Sequence, residues 1–467
     1  MKNYLQVSIF ISNLKLKVII MNNAKDRINV GGSIFGFILL AISLGANASS
    51  TLIKNANVFD GTSKHLKKGM SVLVEGNKIT AMGRSISEPK EVTVIDAKGK
   101  TLIPGLIDAH WHTMFANASM RELMNSDFGY LNLVAAKGAN NTLMRGFTTI
   151  RDAGGNPFAI KQASDEGLID GPRIYPSGGP ISQTSGHFDY RGRFDVPANS
   201  NDPLNYLERN SLAIVADGVP EVTKRVREQL RLGATQIKLA AGGGVSSSYD
   251  PIDVAEYTYE EFKAAVDVAE SWNTYVMVHV FTNKGAQTAL KAGVKSIEHG
   301  NLLSEETFKM MKEKGAWLSM QPIFDDEDAI PFPPGSFQEA KFKLVTKGTA
   351  RGIELAKKYG VPIAFGTDML FDPSLANKQG KFLTKLTPWF EPWEILKMAT
   401  HDNAQLLKLS GPRDPYPGKL GVIEKDALAD LILIDGNPLE DIMLVANAEE
   451  KFVLIMKDGK IYKNKVN

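Results

Sequence analysis

The chain of 467 residues contains no cysteine. It gains no stability from disulfides and cannot be lipidated on a thiol, so its stability must come from an apolar core or from bound metal. A charge bias is also missing, because 54 Lys and Arg residues against 52 Asp and Glu residues give a formal net charge of +2. The basic residues form no stripe that would steer a polyanion, which argues against a nucleic-acid partner.

Nothing in the overall composition is unusual. Hydrophobic residues make up 43% of the chain and charged residues 23%, which argues against a mainly disordered, collagen-like or coiled-coil protein. The chain is long for one compact core, which favours either a large barrel with an accessory domain or two separate domains.

The N-terminal region has the pattern of a secretory signal peptide. Lys25 and Arg27 precede an apolar run over 34–44, which ends in the small-residue sequence Ala46-Asn47-Ala48. A helix needs about 20 residues to cross roughly 30 Å of hydrocarbon, so cleavage fits this short run better than an uncleaved membrane-associated helix. We predict a signal peptide over 1–48, with Met21 as a candidate true start. The mature protein would be periplasmic or secreted, without a stable membrane anchor.

The two ends of the remaining chain share a β-rich style with glycine turns, over residues 49–103 and 412–467. Short strands punctuated by Gly or Asp-Gly predict one small β-sandwich domain built from both ends. Between them, over 104–411, β-branched segments alternate with amphipathic stretches such as Glu221 to Leu232 and Thr258 to Glu270. That alternation predicts an α/β domain with a parallel sheet.

Eight candidate strands occur in the middle region, the number that a closed (β/α)₈ or TIM barrel needs. They lie around Leu102 to His110, Thr148 to Asp152, Arg173 to Ser177, Gln236 to Ala240, Val276 to Val280, Lys295 to Glu298, Trp317 to Met320 and Ile363 to Gly366. In such barrels the chemistry sits at the C-terminal ends of the strands.

Four of the seven histidines stand at predicted strand ends: His110, His112, His279 and His299. Residues i and i+2 of a strand share one face, so His110 and His112 can reach a single ion. Taken alone, that pair could equally be two hydrogen-bonded polar side chains at a barrel rim. The convergence of four histidines favours a metal site.

Two further residues belong to the same pattern. Asp368 follows the eighth strand and can bind metal or accept a proton, although a lone Asp after a Gly-Thr turn also suits the N-cap of the next helix. Lys238 lies within an apolar strand, where a lysine must be paired, neutral or modified. A buried ion pair is one interpretation of Lys238. A carbamate bridging two cations is the other, since a carbamate supplies two oxygens where an ammonium supplies none.

The motifs PGLIDAHWH, IRDAGG, IKLAAGGG, VHV, IEHGN and FGTD, in that order, resemble the amidohydrolase superfamily over nearly everything from Thr51 onward. The chain is similar to the branch that contains imidazolonepropionase-like enzymes and metal-dependent Xaa-Pro dipeptidases. This resemblance implies two divalent cations, with zinc expected from imidazole and carboxylate ligands. One ion would be held by His110, His112 and Asp368, the other by His279 and His299, and N6-carboxylated Lys238 would hold both.

A glycine-rich segment after the third strand, GGPISQTSGHFDYRGR, resembles the family's substrate loop. There His187 would polarise the scissile carbonyl and Arg191 would meet a substrate carboxylate, unless the loop only satisfies its own hydrogen bonds. Asp368 would take a proton from the attacking water and pass it to the leaving amine. Phe281 departs from dipeptidase-like relatives, which often carry a tyrosine there, and puts a preference for proline in doubt.

The sequence therefore predicts a metal-dependent hydrolase of amide or peptide bonds. Its substrate would be an Xaa-Pro or Xaa-hydrophobic dipeptide or an N-acyl amino acid. A cyclic amide hydrolase of imidazolonepropionase type is one alternative, but such relatives use one ion and lack the strand lysine. A non-catalytic periplasmic binding protein is the other, and the complete ligand set argues against it. Whether the chain forms a homo-oligomer stays open.

Overall fold

The computed structural model describes residues 5–11, 14–20, 50–196 and 203–466. The predicted apolar run and cleavage site, over 34–48, and the candidate start Met21 lie outside these residues. The chain divides into two compact units, 1–47 and 48–467. In the first unit, β1 (Leu5–Ile11) and β2 (Leu14–Ile20) pair antiparallel. No helix within the described ranges is long and apolar enough to cross a membrane.

The second unit contains both a mixed sheet and parallel sheets. Its strands are β3 (Ser50–Val58), β4 (Lys67–Glu75), β5 (Lys78–Gly83), β6 (Val92–Asp96), β7 (Thr101–Pro104), β8 (Leu106–Trp111), β9 (Phe147–Asp152), β10 (Arg173–Pro176), β11 (Ile181–Ser182), β12 (Ile214–Val215), β13 (Ile237–Ala240), β14 (Val276–Val280), β15 (Ser296–His299), β16 (Trp317–Met320), β17 (Ile363–Phe365), β18 (Leu431–Ile434), β19 (Phe452–Lys457) and β20 (Lys460–Asn464).

Helices follow most of the parallel strands. They are α1 (Met120–Asn125), α2 (Phe128–Met144), α3 (Phe158–Asp165), α4 (Tyr206–Arg209), α5 (Gly218–Leu232), α6 (Tyr259–Ser271), α7 (Asn283–Ala292), α8 (Glu305–Lys314), α9 (Phe337–Thr346), α10 (Thr349–Tyr359), α11 (Pro373–Ala376), α12 (Gln379–Thr384), α13 (Pro392–Lys397), α14 (Asn403–Leu407), α15 (Met443–Ala446) and α16 (Ala448–Lys451). A π-helical turn (Met398–Asp402) joins α13 to α14, and a 3₁₀ segment (Lys408–Arg413) follows α14.

The two ends of the second unit form one mixed sheet in the order β20-β19-β18-β7-β3-β4-β5, with β6 beside β3. The ends meet where β7 pairs antiparallel with β18, with Leu102 opposite Leu433. Ile53, Val72 and Leu454 are buried with them in one apolar cluster. Strand β18 is apolar along its whole length: Leu431 and Leu433 belong to this cluster, whereas Ile432 and Ile434 belong to the core of the central strands.

The central strands form two parallel sheets, ordered β10-β9-β8 and β12-β11-β13-β14-β15-β16-β17. At one seam, the Thr235 amide donates to the Pro176 carbonyl at 2.8 Å. At the other, the Asp368 amide donates to the His110 carbonyl at 2.8 Å. These two hydrogen bonds join both edges of the smaller sheet to the larger one. Each of the eight predicted parallel strands is confirmed as a strand.

One predicted strand is wrong in its extent. The run from Leu102 to His110 divides at Gly105, so that Thr101–Pro104 belongs to the terminal sheet and Leu106–Trp111 to the parallel one. A Cβ on Gly105 would lie 2.1 Å from Thr148 Oγ1, so a residue without a side chain is required at this division.

The two predicted amphipathic helices are confirmed as α5 and α6. Helix α6 begins after Thr258, which forms a capping box with Glu261. Helix α5 ends at Leu232 and is capped by Gly233, whose φ of 104° suits glycine. Both helices bury an apolar face against the central strands, together with Ile237 and Val278.

Candidate active site

The predicted metal ligands lie together at the carboxyl ends of the parallel strands. His110 is in β8, Lys238 in β13, His279 in β14 and His299 at the end of β15. All four line one cavity with an empty volume of about 870 Å³, which includes the part open to solvent. His112, His187 and Asp368 line the same cavity from the loops after their strands. Parallel strands bring such residues together because their carboxyl ends meet at one edge.

Asp368 stands at the centre of the cluster. Its Oδ1 lies 3.1 Å from Nε2 of His112 and 3.4 Å from Nε2 of His110, and its Oδ2 lies 3.9 Å from Nδ1 of His299. Although burial alone would raise the pKa of this carboxyl, the surrounding imidazoles lower it below its ordinary value. Asp368 is therefore ionised and can bind a cation or accept a proton.

Ligand atoms of His110, His299 and Asp368 all lie within 4.8 Å of one another. This grouping takes members from both of the predicted ligand sets. Both Asp368 and His299 have positive φ values, 52° and 72°, which non-glycine residues rarely adopt. Backbone strain of this kind persists where the surrounding structure fixes a functional side chain, and here it directs both toward the cavity.

Three of the four imidazoles are anchored by a hydrogen-bond partner outside the cluster. His110 Nδ1 donates to Glu298 Oε2 at 2.8 Å, and His112 Nδ1 donates to the Gly154 carbonyl at 3.0 Å. His279 Nε2 lies 3.2 Å from the Gly243 carbonyl oxygen. Each anchor leaves the second ring nitrogen to act as a ligand, as at protein metal sites generally.

Burial also lowers the pKa of three of these imidazoles. Desolvation lowers the pKa of His110 to about 4, assisted by the charge of Lys238. The same cause lowers the pKa of His279 and of His299 well below the ordinary value. A neutral imidazole offers the lone pair that a metal requires. A donor set of imidazoles with one carboxylate thus fits a divalent transition metal.

Lys238 is buried among the histidines, with 2% of the residue exposed. Its Nζ lies 3.4 Å from His110 Nε2. No carboxylate oxygen in the described part of the chain forms an ion pair within 4.0 Å of Nζ. The structure therefore does not support the interpretation of Lys238 as an ammonium in a direct ion pair. Desolvation lowers the pKa of the Lys238 amine to about 8.

His187 also reaches the cavity, and its ring stacks on that of His279 with centroids 3.9 Å apart. Arg191 does not reach it. Its Nε donates to Asp189 Oδ1 at 2.7 Å and its Nη2 to Asp189 Oδ2 at 2.5 Å. Arg191 lines a neighbouring cavity beyond Phe188 and Tyr190. The predicted contact between Arg191 and a substrate carboxylate therefore has no support in this structure, because the guanidinium forms an ion pair with Asp189.

The rest of the cavity wall is strongly apolar. Isoleucines of the loop after β16 contribute, and so do phenylalanines from six positions, namely Phe115, Phe188, Phe281, Phe332, Phe342 and Phe371. Aromatic side chains provide large apolar contact areas with defined geometry. A ligand that fills this cavity would therefore present a bulky apolar group beside the polar cluster.

Sequence reasoning missed the buried pair that supports His110. Arg151 Nη2 donates to both carboxylate oxygens of Glu298 at 2.8 Å, and both residues are fully buried. A charged residue within an apolar strand must find a partner. That signal drew attention to Lys238, and it also applied to Arg151 in IRDAGG and to Glu298 in IEHGN.

Comparisons with known proteins agree with this geometry. The model of the amidohydrolase family matches residues 101–463. Ochratoxinase of Aspergillus niger is 32% identical over 453 residues, covering 91% of this chain and 89% of that protein. A solved prolidase complexed with N-methylphosphonate-L-proline is 34% identical with a TM-score of 0.82, covering 89% of this chain and 100% of the prolidase.

A solved Xaa-Pro dipeptidase with methionine bound in its active site is 29% identical with a TM-score of 0.77. It covers 89% of this chain and 100% of the dipeptidase chain. The predicted resemblance is thereby confirmed, as is the prediction of a hydrolase acting on amide bonds. The chain belongs to the amidohydrolase family.

Proposed function

We propose that this protein is a binuclear metal-dependent amidohydrolase that cleaves a dipeptide or an N-acyl amino acid with a hydrophobic C-terminal residue. The observation that carries the proposal is one cavity in which four histidines, Asp368 and Lys238 face a wall of phenylalanines. The polar cluster suits hydrolysis of an amide bond. The apolar wall suits a bulky side chain next to that bond.

The scaffold that we propose is a closed (β/α)₈ barrel with a β-sandwich domain formed from both chain ends. Backbone hydrogen bonds at both seams of the parallel sheets support closure. The mixed sheet of terminal strands supports the second domain. The sequence predicts a barrel over 104–411 flanked by sandwich segments 49–103 and 412–467, and we propose the same limits except that Pro104 belongs to the terminal sheet. The export of the mature protein after cleavage near residue 48 is part of the same proposal.

Six side chains would hold the two cations, which we propose to be zinc. His110, His112 and Asp368 would bind one ion, His279 and His299 the other, and Lys238 both. Such ions, when bound, polarise a carbonyl and lower the pKa of water from about 15.7 to about 7. The anchored imidazoles and the ionised Asp368 support this assignment, because they are oriented and in the protonation state that ligands need.

Lys238 would take part as its N6-carboxylate. The neutral amine nitrogen attacks the carbon of CO₂, an N–C bond forms, and the nitrogen releases one proton to give an anionic carbamate. Burial next to His110, without an ion-pair partner within 4.0 Å in the described residues, supports the modification because it favours the neutral amine. The carbamate then supplies two acceptor oxygens to the cluster.

The remaining steps fall to Asp368, His187 and the cavity wall. Asp368 accepts a proton from the attacking water on a carboxylate oxygen and passes it to the leaving amine nitrogen. His187 contacts the substrate carbonyl through its cavity-facing imidazole. The phenylalanine wall excludes bulk water and orients the apolar side chain of the substrate.

The structure favours a hydrophobic residue over strict recognition of proline. Phe281 contacts the rings of His279 and His299, with centroids 5.0 and 5.1 Å apart, so that position offers an apolar edge and no hydroxyl. A cyclic amide hydrolase of imidazolonepropionase type is disfavoured because such enzymes lack a strand lysine, whereas Lys238 lies among the histidines here. A non-catalytic binding protein is disfavoured because the cavity holds the complete proposed ligand set, with Asp368 placed among the histidines.

An amine-release assay tests the function. The purified protein is incubated with Xaa-Pro, Xaa-Leu, Xaa-Phe and Xaa-Arg dipeptides and with N-acyl amino acids, before and after treatment with a chelator. We expect turnover that the chelator abolishes and zinc restores, with leucine and phenylalanine preferred at the second position. Absence of turnover on every substrate, with metal present, would contradict the proposal.

A further inference from the structure

His187 is held by contacts of its ring and of its backbone. Its ring stacks on His279 with an angle of 17° between the planes. Its Nδ1 lies 3.2 Å from Asp250 Oδ2 and 3.0 Å from Ser247 Oγ. Its backbone amide donates to Glu256 Oε1 at 2.8 Å. In the described chain, Nε2 of His187 has no hydrogen-bond partner, so this nitrogen is the one available to a ligand.

Asp250 is a buried carboxylate, 1% exposed, and it belongs to none of the predicted ligand sets. Its Oδ2 accepts hydrogen bonds from the Gly244 amide and from Ser247 Oγ, each at 2.6 Å, in addition to the contact with His187. An ionised carboxylate can only accept hydrogen bonds. The His187 nitrogen that faces it must therefore be Nδ1–H, which fixes both the tautomer and the orientation of the ring.

A buried lysine holds the loop that carries Asp250. Lys341 of α9 donates from Nζ to the carbonyls of Gly244 at 2.7 Å, Ser247 at 3.1 Å and Asp250 at 2.7 Å. The same Nζ lies 3.9 Å from Asp250 Oδ1. Because Lys341 closes the loop and supplies the nearby positive charge, Asp250 is fixed before any substrate arrives.

The loop also packs closely against the His187 ring. A Cβ on Gly244 would lie 1.8 Å from Cε1 of His187, so the backbone of the loop touches the imidazole directly. Val245 and Ser246 of the same loop line the catalytic cavity. The loop thus links the placement of His187 to the shape of the cavity.

We propose that Asp250 is a positioning residue, which holds His187 in the Nδ1–H tautomer so that Nε2 faces the substrate. This proposal rests on the proposed function, since it assigns His187 a contact with the substrate. It adds a residue from the loop after β13 to the catalytic machinery, acting through His187.

A double-mutant cycle tests the proposal with the metal-loaded full-length protein. Asp250→Ala should lower kcat about 10–100-fold, by analogy with the groups that orient metal-ligating histidines. Asp250→Asn keeps an acceptor oxygen and should restore most of the activity. In a His187→Ala background, Asp250→Ala should change kcat less than twofold, because the residue through which it acts is gone. The same loss in both backgrounds would overturn the proposal.

Asp253→Ala is the matched control, because Asp253 is an exposed carboxylate on the same loop whose side chain forms no hydrogen bond or ion pair in the described structure. It should change kcat less than threefold. Metal content is measured in each variant, so that loss of an ion is recognised.

A readout without turnover separates this proposal from the proposed function. In protein labelled with ¹⁵N-histidine, the signals of His187 are identified by their loss in His187→Asn. They should have the shifts of an Nδ1–H imidazole in the wild type and lose them in Asp250→Ala. An Nε2–H tautomer in the wild type would refute the positioning role even if the enzyme hydrolyses amides. This measurement also decides the matter if Asp250→Ala does not fold.

Discussion

His110 Nδ1 lies 2.8 Å from Glu298 Oε2, and both side chains are buried. Nη2 of Arg151 donates to both oxygens of the same carboxylate. Glu298 therefore orients a proposed metal ligand while Arg151 neutralises its charge. Such supporting pairs around a ligand histidine fix the ring and raise its basicity.

Glu298→Gln should weaken metal binding by about 10–100-fold, as removal of a supporting carboxylate does. It also leaves Arg151 buried without a counter-charge, which costs roughly 3–5 kcal/mol of stability. Competition with a chelator and chemical denaturation measure the two effects. The double variant Glu298→Leu with Arg151→Met should regain stability but not metal affinity. Recovery of both would show that Glu298 has only a structural role.

Asp368→Asn should keep metal and lose turnover, because the amide can still offer an oxygen but cannot accept the proton of water. We expect a fall in kcat of at least about 100-fold, the lower range for general acid–base catalysis. Single-turnover kinetics with parallel metal analysis would check this. Full activity in a variant with verified metal content would remove Asp368 from the proton-transfer role.

The loop after β16 should control substrate affinity through ion pairs. Asp328 is buried and forms ion pairs with Lys378 at 2.8 Å and with Lys381 at 2.7 Å. Ile330 and Phe332 of this loop line the cavity. Asp328→Asn should therefore raise KM for hydrophobic substrates several-fold and change kcat little, measured by steady-state kinetics.

Asp325→Asn is the matched control for the loop, since Asp325 is exposed and has no ion pair in the described structure. Raising the NaCl concentration should increase KM of the wild type, because salt screens partly exposed ion pairs. The same salt should have little effect on Asp328→Asn. Equal salt dependence in both proteins would disprove the role of these pairs.

Glu256 should make the stability dependent on pH. Burial raises the pKa of its carboxyl from 4.5 to about 8. Over this window the folded protein retains a proton that the unfolded chain has released, so the free energy of unfolding decreases as pH rises. Glu256→Gln has no such proton and should lose less stability between pH 5 and pH 8, as measured by urea denaturation. The exposed Glu260→Gln is the control, and parallel curves for Glu256→Gln and wild type would refute the prediction.

Much of the site could be predicted from the sequence, because short apolar strands followed by His110, His279 or His299 indicate both the strand and its functional end. Lys238 was detectable because a charge is costly within an apolar strand. The contact between His187 and Asp250 spans 63 residues and depends on how the loop after β13 folds back over the cavity. The pairing of Arg191 with Asp189 was equally hidden, since a guanidinium two residues from a carboxylate can turn inward to it or outward to a ligand.

The division of Leu102 to His110 into two strands has a similar origin. Apolar residues continue on both sides of Gly105, and only the pairing of Leu102 with Leu433 in the terminal sheet separates them. Local pattern cannot reveal which sheet a short apolar segment joins.

The metal content of the purified protein tests the central claim most directly. Elemental analysis of the wild type, purified with zinc and bicarbonate, should give close to two ions per chain. Lys238→Met should lose at least one of them, since both ions would share the proposed carbamate. A wild type without bound metal, or a Lys238→Met variant that keeps both ions, would contradict the account.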